Sequence, residues 1–173
     1  MNRTSLKFLL TFLLLVPAQA LVFNHLVLFG TAVPLVFIYL IIILPVTLGT
    51  NLSVAAGFLT GLCVDIFSDT PGVNALSCTI LAFARKPIFH LYVSMDDDLA
   101  GRMPSLRAMG HAEYFKYICT MVFLYCVLVF SIEAFQFFIF RLLVLRTVTS
   151  AIYTILLIYA IDSLTISRRE KKL

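Results

Sequence analysis

Long apolar runs separated by short polar breaks set the pattern of this chain. Six runs stand out, at residues 6–23, 26–46, 48–67, 71–92, 114–138 and 146–166. A helix needs about 20 apolar residues to cross a bilayer, and each run is near that length. Stretches such as FLLTFLLLV and VFIYLIIIL do not alternate, as barrel strands would over about ten residues. The pattern predicts an all-α integral membrane protein, a six-helix transmembrane bundle in a single polytopic domain over residues 1–173. Asn24 and His25 form a very short first connection. Gly30 and Pro34 predict a bend in the second span, and Pro45 to Asn51 the turn after it. Glu133 interrupts the fifth span, and Arg141 and Arg146 crowd its connection to the sixth. Residues 93–113 form the sizeable loop. It holds Asp96, Asp97 and Asp98, then Arg102, Arg107 and His111, punctuated by Gly101, Pro104 and Gly110. It reads as a solvated loop or a docking site for a cytoplasmic partner. A basic tail at residues 167–173 ends the chain.

The third span has a second pattern. Ser53, Gly57, Gly61 and Asp65 recur at i+4, so they share one helix face. Small residues at this spacing let a neighbouring backbone come close. The face is read as tight internal helix packing, with a partner-binding surface as the sharper alternative. SDTPGVNA follows. Thr70 and Pro71 fit an N-cap and first helical position. Asp65 and Asp69 then lie near the positive end of the fourth helix, a structural role preferred to catalysis. At 1.5 Å per residue, Arg85 lies roughly 21 Å from the start of span four and Asp162 roughly 24 Å from that of span six. Similar depth makes them a candidate ion pair; the alternative is that Arg85 and Lys86 snorkel to the surface.

Composition sharpens this picture. Charged residues are 13% and hydrophobic residues 61%, against about 25% charged in a typical soluble domain. Mean hydropathy is +1.03. With the N-terminus inside, Arg3, Lys7, Arg85, Lys86, Arg102, Arg107, Lys116, Arg168, Arg169, Lys171 and Lys172 share one side. Only Arg141 and Arg146 fall on the other. Positive residues concentrate on the cytoplasmic side of membrane proteins, so both termini are expected there. The net charge of +4 then means attraction to anionic lipid rather than nucleic-acid binding. Arg3, Lys7, the run from Phe8 to Val16 and then Ala18-Gln19-Ala20 imitate a secretory signal. Apolar sequence continues through Leu21-Val22-Phe23, which suits a retained first helix. Cys63, Cys78, Cys119 and Cys126 lie in apolar runs without CxxC spacing and read as small hydrophobes. His25, His90 and His111 are dispersed. No metal or other cofactor is expected, and no Walker loop, GxSxG or HExxH motif points to an enzyme.

From Gly57 to Lys86, GFLTGLCVDIFSDTPGVNALSCTILAFARK resembles the MreD family of bacterial rod-shape-determining membrane proteins. The residues that carry the resemblance are Gly57, Gly61, Asp65, Gly72, Asn74, Ala75, Leu76 and Arg85. Chain length, span number and short outer loops agree with it. It implies a non-enzymatic scaffold of the cell-elongation machinery in the bacterial cytoplasmic membrane. The implied partners are an MreC-like protein, an MreB-like filament, and the elongation glycosyltransferase and transpeptidase. The family's bundle is similar to the substrate-binding subunits of energy-coupling-factor vitamin transporters, which supplies a rival reading as a small-molecule uptake subunit. Such a subunit needs a pocket with convergent polar groups. Asn51, Asn74, Glu133 and Gln136 are few for that, and the first span lacks the Ala-x-x-x-Ala repeat that docks a motor module.

Overall fold

The two prolines of the second apolar run decide the centre of the molecule. Pro34 has no N–H and keeps the residue before it out of the α conformation. Pro45 closes the run at its other end. Between them, in a computed structural model that describes residues 3–23, 26, 32–93, 104, 109–134 and 140–170, residues 33–35 have no helical structure. A single 3-10 turn follows at Val36–Ile38, then a four-residue helix, α2, at Tyr39–Ile42. The expected continuous helix over 26–46 is therefore corrected: from residue 32 onward it is an irregular segment with one short helical piece.

Five longer helices surround this segment: α1 (Arg3–Leu21), α3 (Thr50–Ser68), α4 (Val73–Tyr92), α5 (His111–Ala134) and α6 (Phe140–Glu170). With α2 they make six helices, and no β-strand occurs among the described residues. α3 and α4 form the tightest pair. α4 also packs on α5, α5 on α6, and α1 on α3 and on the central segment. Val36, Phe37, Ile38, Leu40 and Ile42 are fully buried among them.

The outward faces are also apolar. Leu13 and Leu14 on α1, Ile66 on α3, Phe83 on α4, Phe123 on α5 and Leu156 on α6 are all more than half exposed. In water such a surface would oppose solubility at about 25 cal/mol per Å²; in lipid it costs nothing. Three helical stretches, Thr50–Ser68, His111–Glu133 and Leu143–Ser163, are long and apolar enough to cross a membrane. The molecule is all-helical and compatible with a membrane protein. α6 is longer than its apolar run: 31 residues reach about 46 Å at 1.5 Å per residue, beyond a hydrocarbon layer of about 30 Å. Asn24, His25, Gly30, the Asp96–Asp98 cluster, Arg102, Arg107, Gln136 and residues 171–173 lie outside the described residues.

Candidate functional site

Buried polar groups gather in three places. The first is the turn between α3 and α4. Asp65, on the last turns of α3, is 4% exposed. Its Oδ1 accepts from the Thr70 hydroxyl, from the Asn74 backbone N–H at 3.0 Å and from Asn74 Nδ2 at 2.9 Å. Its Oδ2 accepts from the Ala75 N–H at 2.8 Å. The first N–H groups of a helix have no partner within it and form its positive end. One carboxylate borrowed from α3 satisfies two of them in α4. The helix needs this help because its N-cap is Gly72, which has no capping side chain. Asn74 extends the cluster by accepting from the Tyr125 hydroxyl of α5 at 2.7 Å.

The turn also corrects the expected cap. Thr70 and Pro71 precede the helix, which starts at Val73. Thr70 serves Asp65 rather than the helix end. Asp69 is exposed and ends α3 in the left-handed region, with φ of 53°. Its contribution is the bend of the backbone. Gly72, with φ of 77°, turns the chain back into α4, a conformation that strains other residues.

The Ser53–Asp65 face is filled from inside. A Cβ on Gly57 would lie 2.8 Å from the Ala82 Cβ and 2.8 Å from the Cys78 carbonyl oxygen. On Gly61 it would lie 2.6 Å from the Ala75 Cα. Backbone contact with α4 consumes this face, so the surface for an outside partner that the spacing also allowed is absent there.

The second place is Arg85, 1% exposed on α4. It neither snorkels nor pairs with Asp162. Its Nη1 donates to the Leu44 carbonyl, and its Nη2 to the Pro45 carbonyl at 3.1 Å and to Ser53 Oγ at 3.3 Å. Leu44 and Pro45 follow the end of α2, where carbonyls lack helical partners and a cation is favoured. Asp162 instead accepts from the Tyr39 hydroxyl at 2.9 Å. Among the described residues the ion pair present is Lys116–Glu113, at 3.1 Å on the surface of α5. The expected Arg85–Asp162 pair is thus replaced by two separate anchors on the central segment, one at each side of α2.

The third place escaped the sequence reading. Gln19 of α1 is fully buried. Its Nε2 donates to the Pro34 carbonyl at 2.8 Å, and its Oε1 accepts from the Val36 N–H at 3.0 Å. Ser150 and Thr154, one turn apart on α6, accept from the Val33 and Leu35 N–H groups, each at 3.0 Å. α6 thus holds residues 33 and 35, and α1 holds residues 34 and 36. Irregular backbone in an apolar interior demands such partners. The sequence carried a signal, a Gln in the first apolar run and a Ser-x-x-x-Thr stripe in the last. In the sequence that Gln is the centre of Ala18-Gln19-Ala20, whose likeness to a cleavage site hides its structural role.

A cavity of about 250 Å³ opens between the α3–α4 turn, the end of α5 and α6. Gln19, Thr70, Asn74, Phe130, Glu133 and Arg146 are among its walls. The Arg146 guanidinium stands 5.8 Å from the centre of the Phe130 ring, a cation–π distance. Of the cysteines, Cys78 and Cys126 are buried, while Cys63 and Cys119 are only partly so; all four are free. Among the described residues no group of three or more His, Cys, Asp or Glu could hold a metal ion. The chain matches no family model, no curated protein and no solved structure.

Proposed function

We propose that this chain is a non-enzymatic membrane scaffold of the MreD type. It sits in the cytoplasmic membrane of a bacterium with both termini in the cytoplasm. There it joins an MreC-like protein, an MreB-like filament and the elongation glycosyltransferase and transpeptidase, and so helps maintain cell shape. One observation carries the reading. The residues of the Gly57–Arg85 resemblance are tied into one rigid hairpin, with Gly57 and Gly61 against α4, Asp65 capping it, Asn74 bonded to α5 and Arg85 clamping the end of α2. These groups are spent on holding helices together, which suits a protein that meets its partners along outward apolar faces.

A vitamin-uptake subunit would need a concave pocket of about 300–1,000 Å³ with convergent polar groups. Among the described residues the hollow of that size, about 580 Å³, lies on the outer faces of α3 and α4 with exposed Ala55, Phe58 and Phe83 among its walls, and the cavity among the helix ends is about 250 Å³, so the scaffold is preferred. Conditional depletion with microscopy tests it. Loss of rod shape is expected; normal shape with lost vitamin uptake would reject the scaffold. Gentle purification adds a second arm, where co-purification with an MreC-like protein is expected. A stoichiometric bound vitamin without that partner would refute it.

A further inference from the structure

The cavity holds two charges that the hairpin does not use. Glu133 and Arg146 both line it, and both are partly buried. Neither side chain makes a salt bridge or a hydrogen bond among the described residues; Arg146 faces the Phe130 ring, and the two opposite charges attract each other without touching. The other polar walls are already engaged: Asn74 with Asp65 and Tyr125, Thr70 with Asp65, and Gln19 with the central segment. Val33, Leu35, Val64 and Val129 make the remaining walls apolar. An ionised group in an apolar helix is costly and marks a functional position. Two of opposite sign that line one hollow without direct contact leave room for a ligand that bridges both.

Three properties narrow the ligand. First is charge: a carboxylate accepts from an ammonium, and a guanidinium fork matches phosphate oxygens. A ligand of one sign would leave the other charge unmatched among apolar walls. Second is size: about 250 Å³ is the share of roughly eight waters at about 30 Å³ each, which fits an ethanolamine phosphate and excludes a large solute. Third is position. Ser68 is the last residue of α3, Asn74 the second of α4, and Glu133 the last but one of α5, and all line the cavity. It therefore opens at the level of the helix ends, where the head groups of a bilayer lie around a spanning bundle.

We propose that this cavity binds a zwitterion bearing a primary ammonium and a phosphate, with the ammonium at Glu133 and the phosphate at Arg146. The chemistry is that of a phosphatidylethanolamine head group or of a soluble phosphoethanolamine. The site is independent of the scaffold reading, and cell shape has no bearing on it.

The test uses the full chain purified in detergent. Native mass spectrometry follows retained lipid after exchange into phosphatidylethanolamine, phosphatidylcholine or phosphatidylglycerol; glycerophosphoethanolamine is titrated into delipidated protein. We expect phosphatidylethanolamine to be retained at least tenfold over the other two. Phosphatidylcholine lacks the N–H donors, and phosphatidylglycerol lacks the cation. Glu133→Gln should erase the preference over phosphatidylglycerol, and Arg146→Gln should lower all phosphate binding. Arg141→Gln, an exposed cation outside the cavity, should change neither. Melting curves show whether each variant folds. Should a cavity variant unfold, displacement of phosphatidylethanolamine from the wild type by glycerophosphoethanolamine still decides. Retention of lipid alone identifies a head-group site, and saturable uptake of the soluble probe identifies a free solute; both support the proposal. Equal retention of all three lipids by the wild type, with no saturable uptake of the soluble probe, overturns it.

Discussion

Single residues here do work that belongs to a neighbouring helix. Asp65 sits on α3, yet its carboxylate completes the start of α4. Asn at this position keeps the size and one acceptor oxygen but turns an amide toward the Ala75 N–H or toward the Asn74 group. Asp65→Asn should cost about 1–3 kcal/mol, the penalty of a stranded buried donor, seen as a lower melting point in detergent. Wild-type stability would mean that Oδ2 contributes nothing. Gly61 gives a sharper contrast. A methyl there meets the Ala75 backbone at 2.6 Å, while at Gly49 it meets nothing within 4 Å. Gly61→Ala should destabilise by about 1–3 kcal/mol, the usual range for overpacking, and Gly49→Ala should be far milder; equal melting points would show that α3 and α4 can part without cost. The glycine face and the Asp65 cap were legible because spacing of four fixes a face and a helix start attracts a carboxylate. The partners of Arg85 were not. Axial arithmetic gives a height and no direction around the bundle, and backbone carbonyls such as those of Leu44 and Pro45 leave no mark in a sequence.

Among elements, the central segment is where the apolar pattern and the structure diverge. An unbroken apolar run shows burial but does not distinguish a helix from extended chain, and the run at 26–46 was long enough to favour a helix. Pro34 and Pro45 were the counter-signals, and a bend was too mild a reading of them. The segment stays in place because α1 and α6 supply the bonds that a helix would make for itself. Gln19→Leu strands the Pro34 carbonyl and the Val36 N–H together, at about 1–3 kcal/mol for each group. Thr154→Val keeps the shape and strands the Leu35 N–H alone, so it should cost less. Amide exchange separates this from general loosening. In Thr154→Val the Leu35 amide should exchange faster while the Val36 amide, held by Gln19, stays protected. Uniform acceleration across residues 33–36 would mean that the segment opens as a unit and that the individual bonds do not position it.

For the whole molecule, the charges and the fold can be set against each other. Ser68, Thr70, Asn74, Phe130 and Glu133 line one cavity, so the α3–α4 turn and the end of α5 share one end of the bundle. α4 then runs 20 residues away from that turn and α5 starts at His111, which puts residue 93 and the start of α5 at the other end. The helix directions thus separate Val93 and His111 from the 69–72 turn without reference to charge. Lys and Arg give the same division a sign: Arg85, Lys86, Arg102, Arg107 and Lys116 lie in sequence around the end that holds Val93 and His111, Arg141 and Arg146 nearer the cavity end, and the excess of positive residues belongs in the cytoplasm. The cavity should therefore face outward. In intact cells, with Cys63, Cys78, Cys119 and Cys126 controlled for, Asp97→Cys should resist a membrane-impermeant thiol reagent, and Pro71→Cys, exposed in the turn, should react. The reverse result would invert the orientation and turn the cavity toward the cytoplasm. Reaction at both positions would mean that α4 does not separate two compartments, and the membrane-crossing bundle itself would fall.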